Sequence, residues 1–443
     1  MKKITKIKTF LSKQVCDIKL YGIKELLRKF FIFTKVITRT LIDVIAVLPC
    51  IIIRLLSPWI IIRIARAPST NYGNFARDLA LYCCKKKLKI DQPKKKYIDL
   101  FYILPRDNIH NRQLARMWKR KLIFFSGYLL DPINRVGKFI PGWKLHTIGL
   151  FPSKYELDVD NLIAKYQALH FTAEEEIYGK KMLNKFGLKD NDKFICLVVR
   201  DSKYQLKKIS ARYHDWSYHD YRNYDIDHFV LAAEELTKRG YFVFRMGVVA
   251  NKPMKSDNPK IIDYVNTKLR SDFMDVYLGA KCTFCISTGL GFDEVPYIFR
   301  RPIALLSVPL GDLRSYSEKF LLLSRLHILE KEKRKLSLSE IFSHGVGFAY
   351  DTKIFKQKGI KLLDYTPEQI KDFAIEMAEN LENEKKLNPE EEELQKIFKN
   401  LFSYNVQRLE YLKEIKKPPY KFHGQIRSRY SMKFLKENRD WLK

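Results

Sequence analysis

At 443 residues, with 46% hydrophobic and 13% aromatic side chains, the chain can build two or three packed domains, and general disorder is excluded. A formal net charge of +32 calls for an anionic partner. Nucleic acid is not the expected partner, a reading that would rest on net charge only: zinc-finger spacing, an RNP-like aromatic strand and a basic zipper are all missing from the sequence.

The positive charge is concentrated at the start, with 14 Lys/Arg against 3 Asp/Glu in residues 1–70. That segment is also the most apolar, a pairing that suits an anionic inner-membrane surface. Residues 1–57 continue from a Lys-rich opening into FFIFTKVITRTLIDVIAVLPCIIIRLLS. Lys35, Arg39, Asp43, Pro49 and Arg54 interrupt the run, so the longest charge-free stretch, Val44–Ile53, is far below the about 20 residues of a spanning helix. No small-residue cleavage site follows it. The expected state is one or two interfacial helices, peripheral on the cytoplasmic face, with a helix packed on the protein's own core as the plainer alternative.

Residues 58–160 alternate strand and helix signals, the pattern of a parallel, doubly wound sheet. Trp59–Ala65 reads as a buried strand, leading through PSTNYGN (Pro68–Asn74) into a helix over Phe75–Lys86. Tyr97–Leu104 is a second strand, followed by a polar loop holding Asp107 and His110 and then a helix through Arg120. Leu122–Phe125 and Trp143–Leu150 are further strand candidates. Residues 161–193 read as a helical connection: a helix over Asn161–His170, then a second opened by the capping box Thr172-Ala173-Glu174-Glu175.

Residues 194–360 form the second α/β domain. Strands are expected at Phe194–Val199, Tyr241–Arg245, Cys282–Ile286 and Ile303–Val308, each a short apolar run suited to burial on both faces. The first three end in polar or glycine-bearing loops: Arg200-Asp201, Met246-Gly247 and Ser287-Thr288-Gly289-Leu290-Gly291. In a parallel sheet those loops share one edge, the place where ligands bind. Small residues let backbone N–H groups approach a ligand, and the helix expected over Phe292–Phe299 adds its N-terminus. Arg200 and Arg245 are candidates for phosphate oxygens, and Asp293 or Glu294 for sugar hydroxyls. Ordinary ion pairs and helix-dipole contacts are the bland alternatives. The loop Ser202–Tyr224 is long and crowded with basic and aromatic residues, and Asp225 caps the helix that follows. Residues 361–443 are helices and a basic tail, beginning with the cap Thr366-Pro367-Glu368-Gln369.

Seven cysteines, an odd number in apolar contexts, imply a reducing compartment and no disulfide framework. Cys282 and Cys285 are spaced as C-x-x-C, but inside a predicted strand, where core packing explains them. Asp-x-Asp spacing occurs at Asp158/Asp160 and Asp190/Asp192, which precede predicted elements rather than following a strand, and at Asp225/Asp227, which a helix cap explains. None of these spacings is expected to mark a metal site, and no cofactor is expected.

Two α/β units, the second with a nucleotide-like edge, resemble the GT-B fold of glycosyltransferases. Closer resemblance is carried by VVRDSKY (Val198–Tyr204), YRNYDI (Tyr221–Ile226), GYFVFRMG (Gly240–Gly247), RSDFMDVYLGAKCTFCISTGLGF (Arg270–Phe292) and RRPIALL (Arg300–Leu306). These are similar to a family of bacterial glycosyltransferase-like proteins found among genes for surface polysaccharide and glycan assembly. NYGNFARDLALY (Asn71–Tyr82) is similar to that family's glycine-histidine turn and helix, with Asn74 where a histidine is usual. The resemblance implies two Rossmann-like domains and sugar transfer from a nucleotide-sugar to a glycan or lipid-linked acceptor, without a catalytic metal. It places the donor against Arg200, Tyr204, Arg222, Asp225, Arg245, Met246, Gly247, Ser287–Gly291 and Asp293, and the acceptor near Gly73 and Asn74. An inverting enzyme needs a base for the acceptor proton, for which Asp201, Asp107 and His110 are the candidates. The alternative is a non-catalytic membrane scaffold or glycan-binding protein on a degenerate transferase fold.

Overall fold

The structure is a computed structural model that describes residues 2–150, 158, 160–201, 217–308, 310, 317–349, 351–383, 386–407 and 426–443. Tyr204 and the loop around it lie outside the described residues. The chain divides into two compact units, each assembled from separate stretches. Unit 1 comprises Met1–Arg66, Pro93–Arg106 and Leu122–Gly149; unit 2 comprises Ala67–Gln92, Asp107–Lys121 and Leu150–Lys443. The stretch 58–160, expected as one domain, is thus shared out between them.

Unit 1 opens with helix α1 (Lys2–Leu56), broken at Gly22, whose φ of 65° and ψ of −153° are non-helical. Strands β1 (Ile61–Arg66) and β2 (Tyr97–Tyr102) pair in parallel, with Arg63 directly opposite Asp99. Their side chains form a buried ion pair at 2.6 Å. Helix α4 (Gly127–Gly137) packs on the end of α1. Cys50, Ile53, Ile64, Tyr102, Leu104, Leu130 and Trp143 make the core beneath.

Two expected strands are not formed here. Leu122–Phe125 contributes one bridge, Phe124 to Phe101, before Gly127 begins α4. Trp143–His146 is a 3₁₀ turn instead, set up by Gly142 at φ 79°, and only Thr147 bridges to Ile64. The turn seats the Trp143 ring over Gly137, where an added Cβ would lie 2.0 Å from it. Gly137→Ala is therefore expected to lower stability by about 1–3 kcal/mol through overpacking. Chemical denaturation measures this, and an unchanged midpoint would contradict the packing described.

Unit 2 is built on a seven-stranded sheet in which every pairing is parallel. Its strands are β3 (Lys193–Val198), β4 (Tyr241–Arg245), β5 (Ile261–Ile262), β6 (Cys285–Ser287), β7 (Ile303–Val308), β8 (Phe320–Ser324) and β12 (Arg429–Tyr430). Their order is β12-β8-β7-β6-β3-β4-β5. A small antiparallel sheet joins β10 (Arg334–Lys335), β9 (Leu326–Leu329) and β11 (Ile360–Leu363). From β3 the chain winds outward through β4 and β5, then returns to place β6, β7 and β8 on the other side. The winding reverses between β3 and β6, and such a reversal opens a crevice at the strands' carboxyl ends.

Helices α2 (Tyr72–Lys87) and α3 (Arg112–Lys121) belong to this unit. Asn111 and the Arg112 amide hold the start of α3 to Asp272 through bonds of 2.9 and 2.7 Å. The Thr172 and Thr366 capping boxes are present. The helix expected over Asn161–His170 is only Leu162–Lys165. Residues 166–172 beyond it form no regular element, and Phe171 is stacked on Phe299 and edge-on to Phe273 and Tyr277. Strand β6 starts three residues later than expected because Cys282 still closes the preceding helix, Asp272–Lys281.

Candidate functional site

A cleft of about 620 Å³ in unit 2 opens where β3, β4 and β6 end. Three loops and the N-terminus of α2 line it. After β3 the backbone of Arg200 is clamped, donating to Thr288 Oγ1 at 2.9 Å and accepting from the Tyr224 amide at 3.0 Å. After β6 the turn is built from within. Ser287 Oγ donates to Asp293 at 2.7 Å and accepts from the Gly289 amide at 3.0 Å, while the Leu290 amide donates to the same carboxylate at 2.9 Å. Gly289, at φ 80°, takes the left-handed conformation the turn requires. Arg222 donates to the Gly289 carbonyl and so lies along the same turn.

The Gly289 and Leu290 amides are therefore committed to Ser287 and Asp293. The segment after them is a 3₁₀ turn, Gly291–Asp293, and a five-residue helix, Glu294–Ile298. The longer helix N-terminus at the cleft belongs to α2, a 16-residue helix. Asn71 stands at its N-cap without a side-chain cap bond, and no acidic residue occupies the first turn. The opening amides of a helix lack intrahelical acceptors and favour an anion. Here they are brought hard against the β6 turn: a Cβ on Gly73 would lie 2.9 Å from Gly291 Cα.

One turn along α2, Arg77 bridges Asp78 at 3.1 Å and Glu294 at 3.0 Å. Tyr72 stacks on His110, ring centroids 5.0 Å apart and planes 17° apart, and is tilted against Phe292 at 6.2 Å. Burial pushes the Asp78 carboxyl up to about 6, against the pull of Arg77. Burial likewise raises Asp275 to about 6, opposed by Arg270 at 2.7 Å and by a hydrogen bond from Tyr264 at 3.0 Å. A carboxyl raised in this way holds, in the folded state, a proton that the unfolded chain has already released. Its contribution makes stability fall as pH rises from about 4 to about 6 and then level off. Paired surface carboxylates such as Glu340, held at about 2 by Arg334, act in the opposite sense, so the informative quantity is variant against parent. Asp78→Asn is expected to flatten that fall in melting curves taken across the window. An identical pH dependence in the two proteins would contradict the buried, raised carboxyl.

The cleft brings together most of the residues singled out in the sequence: Gly73, Asn74, His110, Arg200, Asp201, Arg222, Arg245, Met246, Gly247, Gly289, Leu290 and Gly291. Asp201 also accepts the Asn251 amide at 3.0 Å. Arg245 reaches the cleft wall, but its guanidinium is buried and engaged with Asp263 at 3.1 Å and the Lys252 carbonyl at 2.7 Å. It ties the end of β4 to the following loop, the ordinary structural role weighed against phosphate binding. Ser287, Thr288 and Asp293 sit fully buried beneath the turn and shape it. Asp225 caps the next turn, accepting the Asp227 amide at 2.9 Å, and pairs with Lys252 at 2.6 Å beside a second hollow. Asp107 accepts a hydrogen bond from Ser69 at 3.2 Å and does not line the cleft.

Sequence reasoning missed Asn71, Tyr72, Arg77 and Asp275, all of which line the cleft. The available signal was the spacing of α2, which sets Arg77 one turn beyond Gly73. Among the described residues no group of three or more His, Cys, Asp or Glu side chains is placed to hold a metal ion. Cys50, Cys83, Cys84, Cys196, Cys282 and Cys285 are buried and free.

No protein-family model matches the chain, and no curated protein matches it. Among solved structures, it is similar to a glycosyl transferase family 9 protein from Veillonella parvula, at 13% identity over 73% of this chain and 97% of that one, with a TM-score of 0.39. It is also similar to the ADP-heptose lps heptosyltransferase II of E. coli, at 16% identity over 73% of this chain and 99% of that one, with a TM-score of 0.40. Likeness at this level leaves the cleft to be read from its own chemistry.

Proposed function

We propose that the protein is a GT-B type glycosyltransferase that moves a sugar from a nucleotide-sugar to a glycan or lipid-linked acceptor in bacterial surface polysaccharide assembly. It works peripherally on the cytoplasmic face of the inner membrane. One observation carries this reading: at the carboxyl edge of a parallel sheet, Arg200, Arg222 and the N-terminus of α2 converge on a glycine turn. Two guanidinium groups and open helix amides suit a diphosphate, whose charge grows as the sugar departs. With that charge met by protein groups, transfer needs no resident metal.

Arg200 and Arg222 hold the diphosphate, and the Gly73–Gly291 contact keeps the start of α2 against the turn beside them. Asp201 and His110, both on the cleft wall, are the groups able to take the acceptor proton. Asn74, on the same wall, faces the acceptor. The test is release of nucleoside phosphate from a panel of sugar nucleotides in the presence of a bacterial lipid and glycan extract. Release with one donor class supports the reading. Folded protein that releases nothing from any donor contradicts it and favours a glycan-binding scaffold.

A further inference from the structure

We infer that unit 1 docks on an anionic bilayer with α1 lying along the surface rather than crossing it. This rests on and deepens the peripheral membrane placement proposed above, and it does not depend on the chemistry of the cleft. The stretch Gly22–Leu56 is long and apolar enough to cross a membrane on length and composition. The placement of its charges opposes that. At about 100° per residue, the eight charged residues from Lys24 to Arg54 all fall within a sector of about 140°. Ala46, Cys50 and Ile53, the buried positions, fall in that same sector. The opposite side carries no charge along its whole length, and Ile23, Phe30, Ile37, Leu41, Leu48 and Leu55 on it are 43% to 73% exposed.

The two halves of the stretch resist crossing for different reasons. Residues 22–42 carry Lys24, Glu25, Arg28, Lys29, Lys35 and Arg39, more charge than hydrocarbon accepts. Residues 43–56 are more apolar but belong to the fold of unit 1. Cys50 and Ile53 enter its core, Asp43 pairs with Arg135 of α4, and Arg54 donates to the Pro141 carbonyl at 3.2 Å. Crossing would carry that ion pair and the core attached to it into lipid. A helix in the interfacial plane buries the apolar side and leaves the charged side in water or on its own unit.

Unit 1 exposes a further set of large apolar side chains outside α1: Phe139 at 85%, Tyr128 at 75%, Ile123 at 59%, Leu129 at 56% and Phe125 at 54%. These supply a second contact with the same bilayer. The occupant is lipid rather than a second copy because residues 1–35 hold 10 Lys/Arg against 2 Asp/Glu. Two such surfaces repel each other, whereas anionic headgroups attract them.

Full-length protein is tested by flotation with phosphatidylcholine vesicles, with and without phosphatidylglycerol. Sidedness is read by an impermeant maleimide on cysteines placed at Ile23 and Trp59 in a Cys16→Ser background, in sealed bacterial spheroplasts and after their lysis. Binding is expected to rise on the order of tenfold with phosphatidylglycerol and to weaken in salt. Both positions should label only after lysis. Leu41→Glu with Leu48→Glu, and separately Phe139→Ser, should each reduce vesicle binding with an unchanged circular dichroism spectrum. Labelling of one position, but not the other, before lysis would establish a crossing and overturn the inference. So would apolar-face variants that still bind vesicles, including any that instead turn a dimer into a monomer in sedimentation.

Discussion

Asp201→Asn is expected to lower the rate of sugar transfer by about 10²–10⁴-fold while leaving nucleotide affinity close to that of the parent, if Asp201 takes the acceptor proton. The amide keeps the shape of the carboxylate and can still accept from the Asn251 amide at 3.0 Å, so loop geometry should survive. What it loses is the capacity to take a proton. His110→Ala is the paired measurement, because His110 lies on the wall of the same cleft, stacked on Tyr72. A large loss in one variant with a small loss in the other assigns the base. Full activity in both would remove both residues from the chemistry and contradict the proposed mechanism.

Arg63→Ala is expected to destabilise the protein by about 3–5 kcal/mol. The Arg63 and Asp99 side chains are 8% and 1% exposed and meet at 2.6 Å across the β1–β2 register. Arg63 also lies over the Tyr97 ring, 4.5 Å from its centroid. Removing one partner leaves the other charge buried, and that penalty exceeds the value of the pair itself. Replacing both residues by apolar side chains of similar volume should recover most of the loss. Equilibrium denaturation of the two single variants and the double variant measures the coupling. Additive losses would show that the pair does not act as a unit.

Much of unit 2 was legible because its strands are buried on both faces. Phe194–Val199, Tyr241–Phe244 and Ile303–Leu306 are continuous apolar runs, a pattern with few other readings at that length. Polar and glycine residues directly after such runs also implied a shared edge, and the cleft lies there. What local patterns could not carry was the pairing of distant segments. The contact of Gly73 with Gly291 and the Arg77–Glu294 ion pair join residues more than two hundred positions apart. They follow from α2 packing with unit 2, although the strand before it, β1, belongs to unit 1.

Arg245 shows the converse difficulty. An arginine at a strand end looks the same in sequence whether it faces a ligand or an internal partner. Asp263, eighteen residues on, supplies that partner. In the sequence, the interfacial reading of α1 stands on its basic, apolar composition and its interrupting charges; the structure adds that those charges share a side with the buried positions.

On the proposed function, the cleft of unit 2 binds the diphosphate of a nucleotide-sugar through Arg200 and Arg222. Titration calorimetry with UDP-, GDP-, CMP-, ADP- and dTDP-linked sugars, repeated on Arg222→Ala, tests it most directly. Arg222 is the better probe than Arg245, whose removal would strip Asp263 of a buried partner and disturb the fold. Binding is expected to be confined to one nucleotide class and to weaken about tenfold or more in the variant, the effect of a lost charge-assisted contact. Binding that is equal in the two proteins, or absent with every nucleotide in folded parent protein, would contradict it.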